Sequence, residues 1–270
     1  DDHGAKSSTL AHQSEQAMIA ASIPVLNPAT IADLLEFGLF GWAMSRYSGL
    51  WVGLKCVNEL LEASATVELS PLPSPYREPE GVLLPPGGIH IRMGHEPVET
   101  ERRLMRNKLP MALAFAGANS IDRIVWNGAK KRLGIVAAGK AWLDVLQALS
   151  RLGIDQARGE ALGIGLYKPG ITWPIEPVKM RAFVQGYEEI LFVEEKRPLI
   201  EDQAARLLYA MDPAVRPALS GKTTPDGVAL LPSDGMLDPG EVAHAIAARL
   251  KALGMVDARL GEAIAANEAQ

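Results

Sequence analysis

Arg132-Leu-Gly-Ile-Val-Ala-Ala-Gly139-Lys-Ala-Trp-Leu-Asp-Val-Leu-Gln-Ala-Leu149 is the stretch that decides the fold of this chain. It begins with a short apolar run, 133–137, and then passes through small residues at Gly139. The large apolar residues that follow recur at i, i+3, i+4 and i+7, the spacing of one helix face: Trp142, Val145, Leu146 and Leu149. The stretch therefore predicts a buried strand, a tight turn and a helix. Ligands gather at the carboxyl ends of such strands in open α/β sheets, so the turn is a candidate binding site.

This turn carries most of a phosphate-binding motif. Gly134 and Gly139-Lys140 match the motif GxxxxGK[ST], but Ala141 stands where a hydroxyl would ligate Mg²⁺. Gly134 also lies inside the predicted strand instead of opening a loop, and the dinucleotide-binding pattern GxGxxG is absent. These departures favour a small-residue turn that lets the strand and the helix pack closely. Phosphate binding by the helix N-terminus without a motif stays open as an alternative.

Strands and helices alternate on both sides of this unit. The predicted strands cover residues 123–126, 164–167 and 189–193, and the predicted helices cover 154–161, 176–185 and a segment that ends near Tyr209. Such alternation implies right-handed crossovers and a mostly parallel sheet. Residues 211–238 are rich in loop signals. Asp238-Pro-Gly-Glu is expected to cap a helix through Leu253, and the Ala-rich residues 256–270 are expected to form a frayed helical tail.

Residues 23–57 predict a smaller β–α–β unit. A strand over 23–28 ends at a proline turn, and Thr30 is expected to cap a helix that runs to about Arg46. An apolar strand, buried on both faces, is expected over 49–57. The unit has too few elements to form a domain by itself.

A change of composition separates the two α/β regions. Seven prolines lie between residues 71 and 97, which indicates a linker over 69–97. A helix is expected from Glu99 to about Ala118, with a bend at Pro110 because proline cannot complete the helical hydrogen bonding.

The composition excludes several classes of protein. The 270 residues are 48% hydrophobic, enough to bury at least one full core. A net charge of −5 argues against a general nucleic-acid binder. Cys56 is the one cysteine, so the chain alone holds neither an internal disulfide nor an iron–sulfur cluster. No apolar run reaches the ~18 residues of a membrane span.

The five histidines do not form a metal-binding pattern. None of them lies in an HxH or HExxH motif or is paired with a cysteine, so we expect no metal site. His244 is expected on a helix surface, and His90 and His95 fall in the predicted linker. The other two, His3 and His12, lie near the start of the chain.

Residues 1–16 differ in composition from the rest of the chain. They lack an initiator Met, a basic n-region and an apolar h-region, so we expect the chain to begin inside a larger polypeptide. They also concentrate side chains that can bind or react: Asp2, Lys6, Ser7, Ser8 and His12. Two interpretations stay open. The segment is either a solvated terminal loop or an active-site loop carried by a rigid scaffold.

Glu194-Glu195-Lys196-Arg197 follows the predicted strand 189–193. Charges at this position commonly solvate a strand end and cap the next helix. The alternative is that they form a salt bridge between domains or meet a polar ligand at the carboxyl edge of the sheet.

Three patterns follow one another along the chain. The first is Asp1-Asp2-x-Gly4-x-x-Ser7-Ser8, with Pro24-Val25 and Asn27-Pro28 after it. The second is Leu133-Gly-Ile-Val-Ala-Ala-Gly139 with the aromatic Trp142. The third is Leu166-Tyr-Lys-Pro-Gly-Ile-Thr-Trp-Pro174, followed by Val193-Glu-Glu195 and Leu199-Ile-Glu201. In order and spacing, from residue 1 to about 255, they resemble the thiamine-diphosphate-dependent 2-oxoacid:ferredoxin oxidoreductases, specifically the indolepyruvate ferredoxin oxidoreductases.

The resemblance implies an α/β fold in which a partial pyrimidine-type thiamine-binding domain precedes a transketolase C-terminal-like domain with a mostly parallel sheet. Residues 1–68 would be the carboxyl half of the first domain and 69–97 the linker. Residues 98–235 would be the second domain, which is mainly architectural, and 236–270 the C-terminal helices. The loop with Asp2, Lys6, Ser7, Ser8 and His12 would lie at the substrate and cofactor edge.

The reaction that the resemblance implies is oxidative decarboxylation of an aryl 2-oxoacid such as indolepyruvate to its acyl-CoA, with ferredoxin as electron acceptor. The parent enzyme would be a cytoplasmic oligomer with thiamine diphosphate, Mg²⁺, iron–sulfur clusters and CoA, and with further thiamine-binding domains or subunits as partners. Neither nucleic acid nor membrane would be a partner. The alternative is a non-catalytic α/β scaffold or partner subunit of a thiamine-dependent complex.

The sequence departs from the family in ways that limit this segment. The GDG…N pattern that binds diphosphate and Mg²⁺, the cluster cysteines and the cofactor-activating glutamate have no counterpart here. Ala5, His12 and Gln13 differ from the residues of relatives at these positions. We therefore expect the segment alone to be inactive, to bind no cofactor or metal, and to contain no catalytic residue.

Overall fold

The computed structural model describes residues 1–68, 76–91, 93–94 and 96–268. Its strands are β1 Val25–Leu26, β2 Gly53–Leu54, β3 Arg123–Asn127, β4 Leu133–Ala137, β5 Ile164–Lys168, β6 Ile171–Trp173, β7 Glu189–Val193 and β8 Ala218–Ser220. Its α-helices are α1 Glu15–Ala20, α2 Ile31–Ser48, α3 Asn58–Leu61, α4 Pro97–Arg103, α5 Leu109–Ala118, α6 Gly139–Arg151, α7 Gln156–Leu162, α8 Pro177–Val184, α9 Ile200–Tyr209, α10 Pro239–Ala252 and α11 Ala258–Glu268.

The larger sheet has the strand order β3-β5-β4-β7-β8. Its central strand β4 is parallel to β5 and to β7, with Leu133 aligned to Ile164 on one side and to Glu189 on the other. Strand β8 is also parallel, whereas the edge strand β3 is antiparallel to β5. The predicted strand–turn–helix and the mostly parallel sheet are therefore confirmed.

Helices cover both faces of this sheet, as buried parallel strands require. On one face α6, α10 and α11 enclose a core that includes Trp142, Leu149 and Ile246. On the other face α8 and α9 pack with Phe183 and Phe192. The prediction of a frayed tail is wrong, because α11 buries Leu260 and Ile264 in the first of these cores. Its apolar residues, four apart, lie on one helix face.

The predicted β–α–β unit near the N-terminus is also confirmed. Strands β1 and β2 are parallel and α2 connects them, with the Thr30 side chain accepting from the Asp33 N–H as the predicted cap. The strand expected over 49–57 is much shorter than predicted. Only two residues pair with β1, and the Trp51 side chain is 78% exposed, so this segment is not buried on both faces.

Strand β6 and strand β8 were not predicted. β6 is antiparallel to β1, so Trp173 aligns with Val25 and the small sheet has the order β2-β1-β6. β8 lies in the stretch expected to be loop. Both strands have three residues, too few for periodicity to reveal them. Through β6 the later α/β region completes the sheet of the earlier one. The domain boundaries at 68, 97 and 235 stay a prediction.

The helix expected from Glu99 to Ala118 is interrupted just before Pro110. A π-helical segment, Leu104–Lys108, joins α4 to α5. Proline has no N–H to offer to the carbonyl four residues earlier, and a single π turn accommodates that loss. The helix is therefore irregular before Pro110, and a bend at Pro110 stays a prediction.

Of the predicted linker, 76–91 is irregular and His90 is exposed. Residues 69–75, 92 and 95, and with them His95, lie outside the described residues. Along the described ranges, no helix combines the length and the apolar character needed to cross a bilayer.

Candidate functional site

The N-terminal loop, residues 1–14, lies at the carboxyl edge of the larger sheet. The Asp1 ammonium group donates to the Cys56 carbonyl at 2.7 Å. On the opposite side, the Gln13 side-chain amide donates to the Arg197 carbonyl and accepts from the Arg197 N–H, both at 3.3 Å, just beyond β7. The loop therefore bridges the end of β2 and the end of β7. Residues 4–7 and 9–12 are exposed, so both interpretations left open by the sequence stay predictions.

Asp2 organises the loop from inside. Its carboxylate accepts backbone N–H groups from Lys6 at 2.8 Å, Ser7 at 2.6 Å and Ser8 at 2.8 Å. The Ser7 hydroxyl adds a contact at 3.2 Å. These donors, the Ser7 N–H first, stabilise the carboxylate and hold the pKa of Asp2 well below its ordinary value. Asp2 was predicted as a site residue, and the structure places it as the anchor of the turn and not on the exposed surface.

The other predicted residues face outward from the same loop. The Lys6 side chain is 49% exposed and its ammonium lies 3.0 Å from a Glu59 carboxylate oxygen. His12 is 48% exposed, with Nδ1 3.1 Å from Asp1 Oδ1. Ser7 is exposed, and the half-buried Ser8 donates its hydroxyl to a backbone carbonyl at 2.8 Å. The loop thus carries an exposed cation, an exposed imidazole and an exposed serine, each beside its own carboxylate partner.

A buried ion-pair network lies beneath the loop. Lys140 Nζ donates to Asp144 at 2.7 Å, to Glu195 at 3.2 Å and to the Leu237 carbonyl at 2.6 Å. Burial favours a lower pKa for Lys140, but the bonds and charges of the two carboxylates outweigh it and raise that pKa. The other oxygen of Glu195 accepts the Leu237 N–H at 3.0 Å. Lys140 is therefore fully engaged inside the protein.

Glu194 caps the next helix, as predicted. Its carboxylate accepts the N–H groups of Leu199, Ile200 and Glu201 at 3.1, 2.8 and 2.9 Å, at the start of α9. The expectation that these charges solvate the strand end is wrong, because Glu194 and Glu195 are both buried. Burial raises the pKa of Glu194 to about 7 despite the three donors.

The glycines of the phosphate-loop-like turn serve packing. A Cβ at Gly134 would lie 2.6 Å from a methyl carbon of Ile190. Gly139 has φ +56°, and a Cβ there would overlap the Asn27 side-chain amide. With Lys140 held by Asp144 and Glu195, the turn lacks a free lysine and the space for a phosphate. The packing interpretation is therefore favoured over phosphate binding.

His3 was not among the predicted site residues. Its side chain is 2% exposed, with Nδ1 3.8 Å from Glu195 and Nε2 3.9 Å from Asp1. Burial, followed by the nearby charges of Lys55 and Lys196, lowers the pKa of His3 to about 3. The ring is therefore neutral at neutral pH. A polar loop has no periodicity that could mark one of its residues as buried, so no sequence signal was available.

Metal and diphosphate ligands are not gathered in this region. Across the described residues, no group of three or more His, Cys, Asp or Glu side chains is placed to hold a metal ion. A Mg²⁺–diphosphate group needs several oxygen ligands in octahedral array. These residues do not fit such a group.

Comparison with known proteins agrees with the resemblance in the sequence. The model of a family described as "Indolepyruvate oxidoreductase domain" matches residues 123–270. Indolepyruvate oxidoreductase subunit IorA of Methanothermobacter thermautotrophicus is 28% identical over 186 residues, which are 67% of this chain and 28% of that protein. The protein of the same name from Pyrococcus abyssi is 24% identical over 207 residues, 75% of this chain and 30% of the relative. The chain thus spans under a third of the length of these relatives.

A solved structure shares the fold. It is titled "2-oxoglutarate:ferredoxin oxidoreductase from Magnetococcus marinus with 2-oxoglutarate, coenzyme A and succinyl-CoA bound", and it superposes with a TM-score of 0.53 at 14% identity. The match covers 84% of this chain and 42% of that one. At this identity the likeness concerns the fold alone. Because the family model spans more than half of its residues, the chain belongs to the indolepyruvate oxidoreductase domain family.

Proposed function

We propose that this chain is a segment of an enzyme that oxidatively decarboxylates an aryl 2-oxoacid such as indolepyruvate. The products are the acyl-CoA and carbon dioxide, and ferredoxin accepts the electrons. Membership of the indolepyruvate oxidoreductase family supports the reaction class. The observation that carries the proposal is the N-terminal loop, which is bonded to Cys56 and Arg197 and leaves Lys6, Ser7 and His12 exposed.

In this proposal the loop lines one edge of the reaction centre. Lys6 offers a cation, which suits the carboxylate of a 2-oxoacid, and the Ser7 hydroxyl, which donates to Asp2, is a further polar group at this edge. His12 offers a half-exposed imidazole as a further polar contact at this edge. Asp2 keeps these groups in place through its bonds to the turn.

Thiamine diphosphate, Mg²⁺, iron–sulfur clusters and CoA are supplied by other domains or subunits of a cytoplasmic oligomer. When bound, the thiamine group supplies the electron sink for decarboxylation. The described residues of this chain hold no cage for its diphosphate, so they act from the substrate edge.

The test is made in the complete protein that carries this segment, assembled with its partners. Lys6→Ala, Ser7→Ala and His12→Ala are compared with Lys130→Ala and His244→Ala, which alter exposed residues far along the chain. Reduction of ferredoxin by indolepyruvate and CoA is followed spectroscopically. We expect kcat/KM to fall about 10-fold or more for at least one loop variant, within the range for positioned polar groups. Unchanged kinetics in all three would refute the role of the loop.

A scaffold role is the second candidate, and the burial of Lys140 favours it for the region 98–255. Lys140, the lysine in the phosphate-loop-like position, is paired inside the protein with Asp144 and Glu195. Titration calorimetry of this chain with thiamine diphosphate, and separately with CoA, tests the scaffold role, while the loop variants above separate it from the first candidate. The scaffold role predicts no heat of binding, and micromolar affinity for either ligand would contradict it.

A further inference from the structure

A small polar cavity lies between the N-terminal loop and the larger sheet. Its volume is about 20 Å³, and its walls include His3, Glu15, Lys55, Lys140 and Glu195. The cavity therefore joins the loop to the carboxyl ends of the strands and to the small sheet.

Several buried polar atoms around this cavity have no hydrogen-bond partner among the described residues. They are both ring nitrogens of His3 and the Oε2 atom of Glu15, whose other oxygen accepts from Lys55. The nearest carboxylate oxygens lie 3.8 and 3.9 Å from the imidazole, too far for a direct hydrogen bond. Buried polar groups of native proteins are nearly always satisfied, by protein or by ordered water.

The size and the charge of the cavity identify what satisfies these atoms. A volume of ~10–15 Å³ suffices for one water, so the space accepts a water molecule but no organic ligand. Across the described residues no group of three or more His, Cys, Asp or Glu side chains is placed to hold a metal ion, so a cation is not expected in this space. A neutral imidazole offers one donor and one acceptor, which a water molecule can match.

We propose that one buried water molecule occupies this cavity, hydrogen-bonded to His3 and to Glu15, and fixes the N-terminal loop to the start of α1. His3 is then a positioning residue that acts on the loop through the water. The water site is independent of the reaction assigned above, because it involves only groups within this chain.

A high-resolution crystal structure of this chain tests the site directly. We expect one density peak at ~2.7–3.2 Å from a His3 ring nitrogen and from the Glu15 carboxylate, with hydrogen-bond distances. An empty cavity overturns the proposal. So does a peak with ligand distances of ~2.0–2.5 Å that depends on the salt used, because it identifies a cation.

Amide hydrogen exchange tests the positioning role. In His3→Leu the ring nitrogens are lost, and we expect the amides of Lys6, Ser7 and Ser8, which bind Asp2, to exchange roughly ten-fold faster or more. His3→Gln keeps a donor and an acceptor and should therefore restore most of the protection. If His3 served only to fill space, the donor and the acceptor would make no difference to the exchange rates. Equal exchange in both variants and the wild type overturns the role. If His3→Leu does not fold, His3→Gln must still show the density peak.

Discussion

Lys140 Nζ lies 3.2 Å from Glu195 Oε1, so the residue after the turn of β4 is paired with the second residue after β7. These two strands are adjacent and parallel, and their carboxyl ends place both side chains at one edge of the sheet. A lysine that in sequence resembles part of a phosphate loop is therefore an internal counter-ion. It pairs with Glu195 and with Asp144, both of which are buried.

Removing this lysine should destabilise the fold. In Lys140→Met the two carboxylates lose their shared cation, and breaking a buried pair from one side costs about 3–5 kcal/mol. Urea unfolding followed by circular dichroism measures the free energy of unfolding. Lys130→Met, at an exposed site, should change it by less than ~0.5 kcal/mol. Equal stability of the Lys140 variant and the wild type would show that the network is not formed.

The turn of the N-terminal loop contains a strained residue. Ala5 has φ 53°, in the left-handed region that disfavours a Cβ. Ala5→Gly should raise the free energy of unfolding by about 0.5–1 kcal/mol. The strain energy removed from the folded state is expected to exceed the conformational entropy that glycine adds to the unfolded state. Thermal unfolding of both variants checks this. Ala11→Gly, in the same loop but not at positive φ, should be neutral or destabilising. The opposite ranking would contradict this conformation of the loop.

The C-terminal helix should contribute to global stability. Leu260 is fully buried against the core under α6 and α10, so Leu260→Ala should cost about 2–4 kcal/mol in denaturant unfolding. Val256→Ala, at a residue that is 36% exposed, should cost clearly less. A loss below about 0.5 kcal/mol for Leu260→Ala, the scale of a surface substitution, would mean that the tail frays in solution, as its Ala-rich sequence suggests.

The fold could be predicted where local periodicity and chain order agree. The unit β4–α6 follows from an apolar run and a helical repeat that lie together between Arg132 and Leu149, and β7 follows from an unbroken apolar run that is buried throughout. Strand β6 could not be found in this way. Its partner β1 lies far earlier in the chain, and so short a strand has no pattern of its own. The same holds for β8.

The candidate site was predictable as a loop but not residue by residue. The concentration of polar side chains marked residues 1–16, and Lys6, Ser7 and His12 do face outward. Asp2 and His3 point inward because backbone donors and neighbouring elements surround them, and that is a property of tertiary structure. A run of mixed polar residues carries no information about which of them the fold will bury.

Stability should depend on pH through Glu194. Its pKa is about 7 in the folded chain and about 4.5 when unperturbed, so the folded state holds the proton more tightly. The stabilising contribution is therefore complete below pH ~4.5 and is lost as the pH rises through about 7. At ~1.4 kcal/mol per pKa unit, the free energy of unfolding should fall by about 2–3 kcal/mol across that window.

Glu194→Gln removes the titrating proton from this site while keeping one acceptor oxygen for the start of α9. Wild type and variant are unfolded in urea between pH 4.5 and 8, and the difference in their free energies of unfolding is plotted against pH. The wild type should lose stability relative to Glu194→Gln as the pH rises, whereas Glu188→Gln, at an exposed site, should run parallel to the wild type. Some slope should remain in Glu194→Gln, because burial also raises the pKa of Asp122, to about 6. Parallel curves for the wild type and Glu194→Gln would show that Glu194 titrates alike in the folded and unfolded chains. That result would contradict the raised pKa of Glu194 in the folded chain.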